Sequence, residues 1–186
     1  MKISIIGSGY VGLVSGLCLS EIGHEVTCVD NQLSKIKQIN RGNSPIHEKG
    51  IDRLLKKNLN KKFTASTNLK NAVLNSSVTI IAVGTPFKNN KIDISYVKKV
   101  AKQIGLTLKE KNDFHTVIVK STVVPGTTDD IVRKILETSS KKILGKQFGL
   151  SMNPEFLREG EAINDFLNPD RIIIGYSDIK TKKIVS

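Results

Sequence analysis

Residues 3–12 read Ile-Ser-Ile-Ile-Gly-Ser-Gly-Tyr-Val-Gly, and this stretch decides the fold. Ile3–Ile6 is a short apolar run of strand type, and the glycine motif Gly7-Ser8-Gly9-Tyr10-Val11-Gly12 follows it directly, opening a helical stretch. In a strand–turn–helix unit of this kind Gly7 permits the tight turn and Gly9 lets the backbone approach a pyrophosphate. Gly12 allows close helix–strand packing, and the phosphates sit at the positive end of the helix. A glycine-rich turn with no ligand has the same three letters, so the context must decide. The next strand-like run, Val26–Val29, ends in Asp30, 18 residues after Gly12. A carboxylate there accepts hydrogen bonds from the adenosine ribose 2′-hydroxyl, each worth roughly 1.5–3 kcal/mol, and repels a 2′-phosphate. The expected cofactor is therefore NAD rather than NADP, the alternative for Asp30 being a plain strand-end turn residue. Lys35, one helical turn on, either contacts the same ribose or is solvated.

Outward from this unit the chain alternates short apolar runs with helical periodicities. Further strand-like runs are Phe63–Ser66, Val78–Val83, Thr116–Val119, Phe148–Met152 and Ile172–Ile174. Most are continuously apolar, the pattern of a parallel sheet buried on both faces. Ile94, Val97, Val100, Ala101, Ile104 and Leu108 recur at helical steps, as do Ile131, Val132, Ile135 and Leu136 behind Thr127-Thr128-Asp129-Asp130, which is expected to cap and charge a helix start. Strand–helix repetition implies right-handed crossovers and a Rossmann-like, doubly wound, mostly parallel α/β sheet flanked by helices. Lys88–Asp93 is the most polar connector and is expected to be a flexible loop.

Polar clusters fall at successive strand ends, where ligands gather in such sheets. Val83-Gly84-Thr85-Pro86 ends the fourth strand, Lys120-Ser121-Thr122 the fifth, and Asn153-Pro154-Glu155-Phe156-Leu157-Arg158-Glu159 follows the sixth. Together they imply one functional rim. The plainer alternative is loop chemistry that stops strands and caps helices; for Glu155 and Glu159 it is a helix first turn with carboxylates set against the dipole.

Composition narrows the class. At 186 residues the chain suits one domain or slightly more, and 39% hydrophobic with 25% charged residues excludes a disordered or collagen-like polymer. No apolar run approaches a membrane span, the opening residues lack a signal-peptide layout, and Cys18 and Cys28 cannot build a disulfide framework, so a cytoplasmic setting is expected. The net charge of +12 invites a nucleic-acid reading, but only five of the 29 basic residues are arginine and aromatic residues make up 5%. The lysines read mainly as solvated faces; neither nucleic acid, nor a membrane, nor a metal is expected as a partner.

The quoted motifs, with SPIHEKG (residues 44–50), KSTVVPGTT (120–128) and NPEFLREGEAINDFLNPDRIIIG (153–175), resemble the N-terminal NAD-binding domain of the UDP-glucose/GDP-mannose dehydrogenase family. Within the family, FLNPDRIIIG resembles the UDP-glucose 6-dehydrogenase branch more than the GDP-mannose branch. The family oxidises the sugar C6 alcohol to a carboxylate with two NAD, through a cysteine-bound thiohemiacetal and thioester. The resemblance implies that Gly7, Gly9, Tyr10, Val11, Gly12, Asp30, Lys35, Thr85, Thr122 and Glu155 line the cofactor. It further makes Thr122 a holder of the catalytic water and Glu155 a proton-transfer residue that also meets substrate, beside Phe156, Leu157 and Glu159.

The same resemblance implies a division of the chain: residues 1–176 as the NAD-binding domain and 177–186 as the start of a connection to a central helix and a nucleotide-sugar domain that lie outside the sequence. The family's nucleophilic cysteine and catalytic lysine belong to that second domain. Cys18 lies in the first helix and Cys28 in the second strand, positions of ordinary core thiols. The expectation is a domain that binds NAD, does not complete the reaction alone, exposes apolar surface near Phe156, Leu157 and Phe166, and self-associates or pairs with a C-terminal polypeptide that supplies the UDP-glucose site. Rival readings are a non-catalytic NAD-binding remnant, a GDP-mannose 6-dehydrogenase fragment, or a dehydrogenase of the β-hydroxyacid type.

Overall fold

Apolar runs too short to bury themselves must pair, and here they pair edge to edge into one sheet. The computed structural model describes residues 1–186. Its elements are β1 (Lys2–Ile6), α1 (Tyr10–Glu21), β2 (Glu25–Val29), α2 (Leu33–Asn40), α3 (Ile51–Asn58), β3 (Phe63–Ser66), α4 (Leu69–Leu74), β4 (Val78–Ile81), β5 (Phe87–Lys88), β6 (Lys91–Ile92), α5 (Ser95–Leu108), β7 (His115–Val119), a π-helical turn (Thr127–Val132) running into α6 (Arg133–Ser140), β8 (Phe148–Met152), α7 (Ala162–Leu167), β9 (Gly175–Tyr176) and α8 (Ile179–Val185). Seven strands form the main sheet in the order β3-β2-β1-β4-β7-β8-β9. All pairs are parallel except the last, β8 with β9.

Side-chain alternation along the strands splits the core into two layers. Ile3 and Ile5 of β1, with Val78 and Ile80 of β4, face a cluster completed by α1 and α3. Ile6 and Ile81 face the opposite cluster, built with α5 and α6. Apolar residues on both faces explain why the central strands read as continuous runs. Strand order runs one way from β1 to β3 and the other way from β4 to β8, so the chain reverses between β1 and β4. That crevice is where a doubly wound sheet receives a ligand.

The structure departs from the sequence expectations at five places. The fourth strand stops at Ile81, not Val83, because the chain turns out over the rim, where the Val83 carbonyl accepts from the Ser121 hydroxyl at 2.7 Å. The last strand is Gly175–Tyr176 and not Ile172–Ile174. Ile172 and Ile173 stay 64% and 50% exposed, since β8 offers the returning chain only the register Met152↔Gly175 and Ser151↔Tyr176. Lys88–Asp93 is not a loose loop but holds a β-hairpin, its turn made by Asn89 and Asn90 at φ 50° and 59°; asparagine tolerates this left-handed region better than most residues. No side chain of the Thr127–Asp130 run caps the helix it opens: Gly126 sits at the cap with φ 84°, while Asp129 and Asp130 do occupy the first turn. Finally, Glu155 and Glu159 are not in a helix start, for α7 begins only at Ala162.

At the far end, α8 packs on β8 and β9. Asp178 caps it, accepting from the Thr181 amide at 2.9 Å and the Thr181 hydroxyl at 2.6 Å. No helix is long and apolar enough to cross a membrane.

Candidate cofactor cleft and active-site rim

Parallel strands place every strand-to-loop exit at one edge, so Gly7, Asp30, Val83–Thr85, Lys120–Thr122 and Asn153–Glu155 all emerge on the same side. Gly7 adopts φ +112°, a conformation reserved for glycine, and a Cβ there would meet the Ala82 backbone, with the carbonyl carbon at 2.8 Å. A Cβ on Gly12 would overlap the Gly7 carbonyl oxygen. Gly9 differs: a Cβ there would find nothing within 4 Å. Its missing side chain is not required by protein packing and leaves open space at the helix entrance. Helix α1 starts there with no side-chain cap and no acidic residue in its first turn, so its first N–H groups and its positive dipole end face that space without a protein partner. These are the properties of a pyrophosphate cradle. Tyr10 and Val11, both partly buried, form its first helical turn.

Asp30 closes the cradle more tightly than its motif role alone requires. One carboxylate oxygen accepts from the Ser8 amide at 2.9 Å and the Ser8 hydroxyl at 2.7 Å. The other accepts from the Gln32 amide at 2.9 Å. Burial opposes its charge, yet these donors and the nearby Lys35 ammonium outweigh burial and hold the carboxyl below its ordinary value. Asp30 is thus ionised, fixed to the glycine turn, and flanked by Lys35. The lysine is brought to the site electrostatically and makes no hydrogen bond there.

Across the reversal, the ends of β4 and β7 are tied together. The Thr85 hydroxyl donates to the Thr122 carbonyl at 2.8 Å, and the Thr122 hydroxyl is exposed with no protein partner. After β8 the chain runs as an irregular loop in which one Glu155 oxygen accepts from the Leu157 amide at 2.7 Å, leaving its other oxygen free. Phe156 is 44% exposed with the Arg171 guanidinium 4.8 Å above its ring, and Leu157 packs on the core. Glu159 is exposed and makes no hydrogen bond, so no protein partner fixes its side chain. Arg158 forks onto Asp165, its terminal nitrogen 2.6 Å from the carboxylate. Phe156, Leu157, Phe166 and Lys120 line a groove of about 690 Å³ beside this loop.

Two groups of the rim carry no role in the sequence reading. Lys120 is only 7% exposed; its ammonium donates to the Asn153 amide oxygen at 3.0 Å and lies 5.9 Å from the Phe166 ring centre. Burial pushes its pKa down to about 8, with the Glu155 carboxylate opposing. Glu48, in the loop before α3, accepts from the Tyr10 hydroxyl, from the Gly160 amide at 2.9 Å and from the Ala162 amide at 3.1 Å. Lys120 belongs to the strand-end cluster expected at the rim, but sequence spacing shows neither its burial nor the contacts of Glu48, whose partners lie 38 and 112 positions away. The thiols Cys18 and Cys28 are fully buried, and burial pushes both up to about 12. Both are core groups, remote in character from a nucleophile. No three His, Cys, Asp or Glu side chains cluster closely enough to hold a metal ion.

An uncapped helix start beside an ionised strand-end carboxylate, at the reversal of a doubly wound sheet, defines a dinucleotide-binding domain of the Rossmann type. The family model described as "UDP-glucose/GDP-mannose dehydrogenase family, NAD binding domain" matches residues 1–186, and the chain belongs to that family. It is 46% identical to a GDP-mannose 6-dehydrogenase of Pseudomonas aeruginosa over 97% of this chain and 42% of the relative. It is 43% identical to a UDP-glucose 6-dehydrogenase of Rhizobium meliloti over 100% of this chain and 42% of the relative. A crystal structure of a ternary complex of GDP-mannose dehydrogenase from P. aeruginosa superimposes with a TM-score of 0.96 at 44% identity, covering 100% of this chain and 43% of that one. The chain spans about two fifths of the length of these relatives. Both sugar specificities occur among them at similar identity, so the likeness establishes the family and not its UDP-glucose branch.

Proposed function

We propose that this chain is the NAD-binding half of a UDP-glucose 6-dehydrogenase. Such an enzyme converts UDP-glucose, two NAD⁺ and one water to UDP-glucuronate, two NADH and three protons. The observation that carries the reading is the open, uncapped entrance of α1 at Gly9, set against an ionised Asp30. The residues fit the cofactor: the first turn of α1 would receive the pyrophosphate, Asp30 the adenosine ribose with Lys35 beside it, and Thr85 and Thr122 the ring-bearing end. NAD, when bound, supplies the hydride acceptor.

The chain's own groups prepare the rest of the chemistry. The Thr122 hydroxyl, free of protein partners, orients a water. Glu155 has one oxygen anchored on the Leu157 amide and the other free to accept a proton through that water. Phe156 and Leu157 present backbone and side chain to the substrate, with Glu159 at its outer margin. A thiol nucleophile is not among these 186 residues, because both cysteines are buried and their thiols strongly disfavour the thiolate. The division at about residue 176, the cytoplasmic setting, and completion of the nucleotide-sugar site by further polypeptide, joined or separate, belong to the same proposal.

The test is a titration with NAD and NADP, followed by an NADH assay with UDP-glucose. The purified chain is expected to bind NAD in preference to NADP and to release no NADH. Absent NAD binding refutes the cofactor role, and steady NADH formation refutes the need for a second domain. GDP-mannose is the second reading, favoured by the 46% identity to the P. aeruginosa enzyme. The two sugars are separated by running the assay with each after the chain is combined with its C-terminal complement.

A further inference from the structure

We infer that Glu48 is a positioning residue that fastens the substrate loop, residues 153–160, to the cofactor cradle, so that binding on one side orders the other. The inference rests on the NAD reading above and adds to it a role for one residue of the SPIHEKG segment, 44–50. Its basis is the convergence of three chain segments on one carboxylate. One Glu48 oxygen accepts from the Tyr10 hydroxyl and, at 2.9 Å, from the Gly160 amide. The second accepts from the Ala162 amide at 3.1 Å. Tyr10 is the first residue of α1, inside the glycine motif, and Gly160 and Ala162 end the loop that carries Glu155. The Gly160 amide also reaches the Tyr10 oxygen at 3.1 Å, and the Tyr10 hydroxyl lies 3.4 Å from the Arg158 carbonyl.

The geometry matters because the loop has no regular structure of its own. Between Met152 and Ala162 it belongs to neither strand nor helix, so side chains fix its position. At its start Asn153 is held by Lys120 and by the Ile173 carbonyl; the Glu48 carboxylate, with the Arg158–Asp165 pair, holds its end. A carboxylate suits this place because it accepts at both oxygens. An amide presents one acceptor and one donor, and the donor would face an N–H. The Tyr10 phenol registers the contact: burial, the hydrogen bond to Glu48 and its charge push the phenol up to about 12.

The experiment compares wild type with Glu48→Gln and Tyr10→Phe by amide hydrogen exchange, with and without NAD, and by absorbance titration of tyrosine. In Glu48→Gln the Gly160 or Ala162 amide is expected to exchange at least about tenfold faster, since a hydrogen bond to a charged acceptor is lost. The Tyr10 titration is expected to fall back toward 10. Tyr10→Phe keeps both backbone contacts and is expected to speed exchange less, which separates the latch from a general loss of folding. NAD is expected to slow exchange in residues 7–12 and 153–162 of the wild type, and only in 7–12 of Glu48→Gln. If the loop of Glu48→Gln responds to NAD as the wild-type loop does, the coupling is wrong. If NAD protects nothing in the wild type, the cofactor reading fails and the coupling with it.

Discussion

Replacing Asp30 by alanine perturbs two things that the structure allows to be separated. The carboxylate accepts from the Ser8 amide, the Ser8 hydroxyl and the Gln32 amide. Ser8 is fully buried, so its two donors are orphaned by the substitution, at about 1–3 kcal/mol each, whereas the exposed Gln32 amide regains water. With Asp30 itself only partly buried, the apo protein is expected to lose about 2–4 kcal/mol, a fall in Tm of roughly 5–15 °C for a chain of this size. Removing the ribose acceptor is a distinct loss, about 1.5–3 kcal/mol or roughly 10- to 140-fold in Kd for NAD. The two are read separately by thermal unfolding without ligand and by calorimetric titration at a temperature where both proteins are folded. Ser8→Ala supplies the control, since it disturbs the internal pair and leaves the carboxylate. The cleanest readout is the ratio of NAD to NADP affinity, which cancels any common loss of cradle geometry. Asp30→Ala is expected to bring that ratio toward unity and Ser8→Ala to preserve it. An unchanged ratio in Asp30→Ala would refute the ribose role and leave Asp30 as a structural anchor of the glycine turn. The pH dependence follows from the lowered pKa: the stabilisation is complete above the unfolded value near 4 and is lost as pH falls through the lower folded value.

Gly9→Ala and Gly12→Ala divide cradle function from cradle packing. A Cβ on Gly9 meets no protein atom and one on Gly12 overlaps the Gly7 carbonyl, so Gly9→Ala is expected to weaken NAD about tenfold or more at nearly constant Tm, while Gly12→Ala loses about 1–3 kcal/mol of stability as well; equal melting curves for the two would contradict the packing. Lys120, lowered to about 8 by burial, penalises the fold when charged. The unfolded chain holds the extra proton between pH 8 and 10.5, so stability is expected to rise by about 3 kcal/mol across that window from this group, and Lys120→Met flattens the rise measured by denaturant titration. Cys18 and Cys28 are expected to resist a thiol reagent in the native protein and to react fully in denaturant; fast native labelling at pH 8 would reopen the question of a nucleophile in this chain.

The parts legible in the sequence were those whose signal is local. Ile3–Gly12 and Asp30 lie within one strand–helix–strand unit, and the apolar continuity of Val78–Ile81 and Thr116–Val119 reports burial on both faces, which the two core layers supply. What was not legible depends on distant partners. Ile172–Ile174 has the β-branched residues of a strand, but strand formation was decided by which part of β8 remained open, and that is set more than twenty positions upstream. Asn89-Asn90 looked like a polar linker because composition does not report the left-handed backbone that two successive asparagines accept. Glu48 and Lys120 stand within SPIHEKG and KSTVVPGTT, but only folding brings Tyr10, Gly160 and Asn153 to them.

Why the C-terminal edge, and not its opposite, holds the site follows from how each end of the strands disposes of its polar groups. Toward the N-terminal ends, Ser76, Ser4, Thr79 and His115 form a buried chain, with Ser4 2.9 Å from the Ser76 hydroxyl and 2.7 Å from that of Thr79, which in turn meets His115 at 2.7 Å. Burial lowers His115 to about 3, so the imidazole stays neutral and serves as one more internal partner. The hydroxyls of that network are paired within the protein and His115 is held through Nε2, while its buried Nδ1 has no partner. At the other edge the arrangement is reversed: the first turn of α1 is uncapped, the Thr122 hydroxyl and one Glu155 oxygen are free, and the Lys120 ammonium has a single neutral acceptor. Groups that folding leaves unpaired beside groups that folding fixes (Asp30 on Ser8, Thr85 on Thr122, Glu155 on Leu157) are positioned at no further cost when a ligand arrives. The net charge of +12 gives the chain as a whole a field favouring an anionic dinucleotide, and raising the salt concentration is therefore expected to weaken NAD binding in wild type and in Asp30→Ala alike, because the phosphates and not the ribose carry the charge.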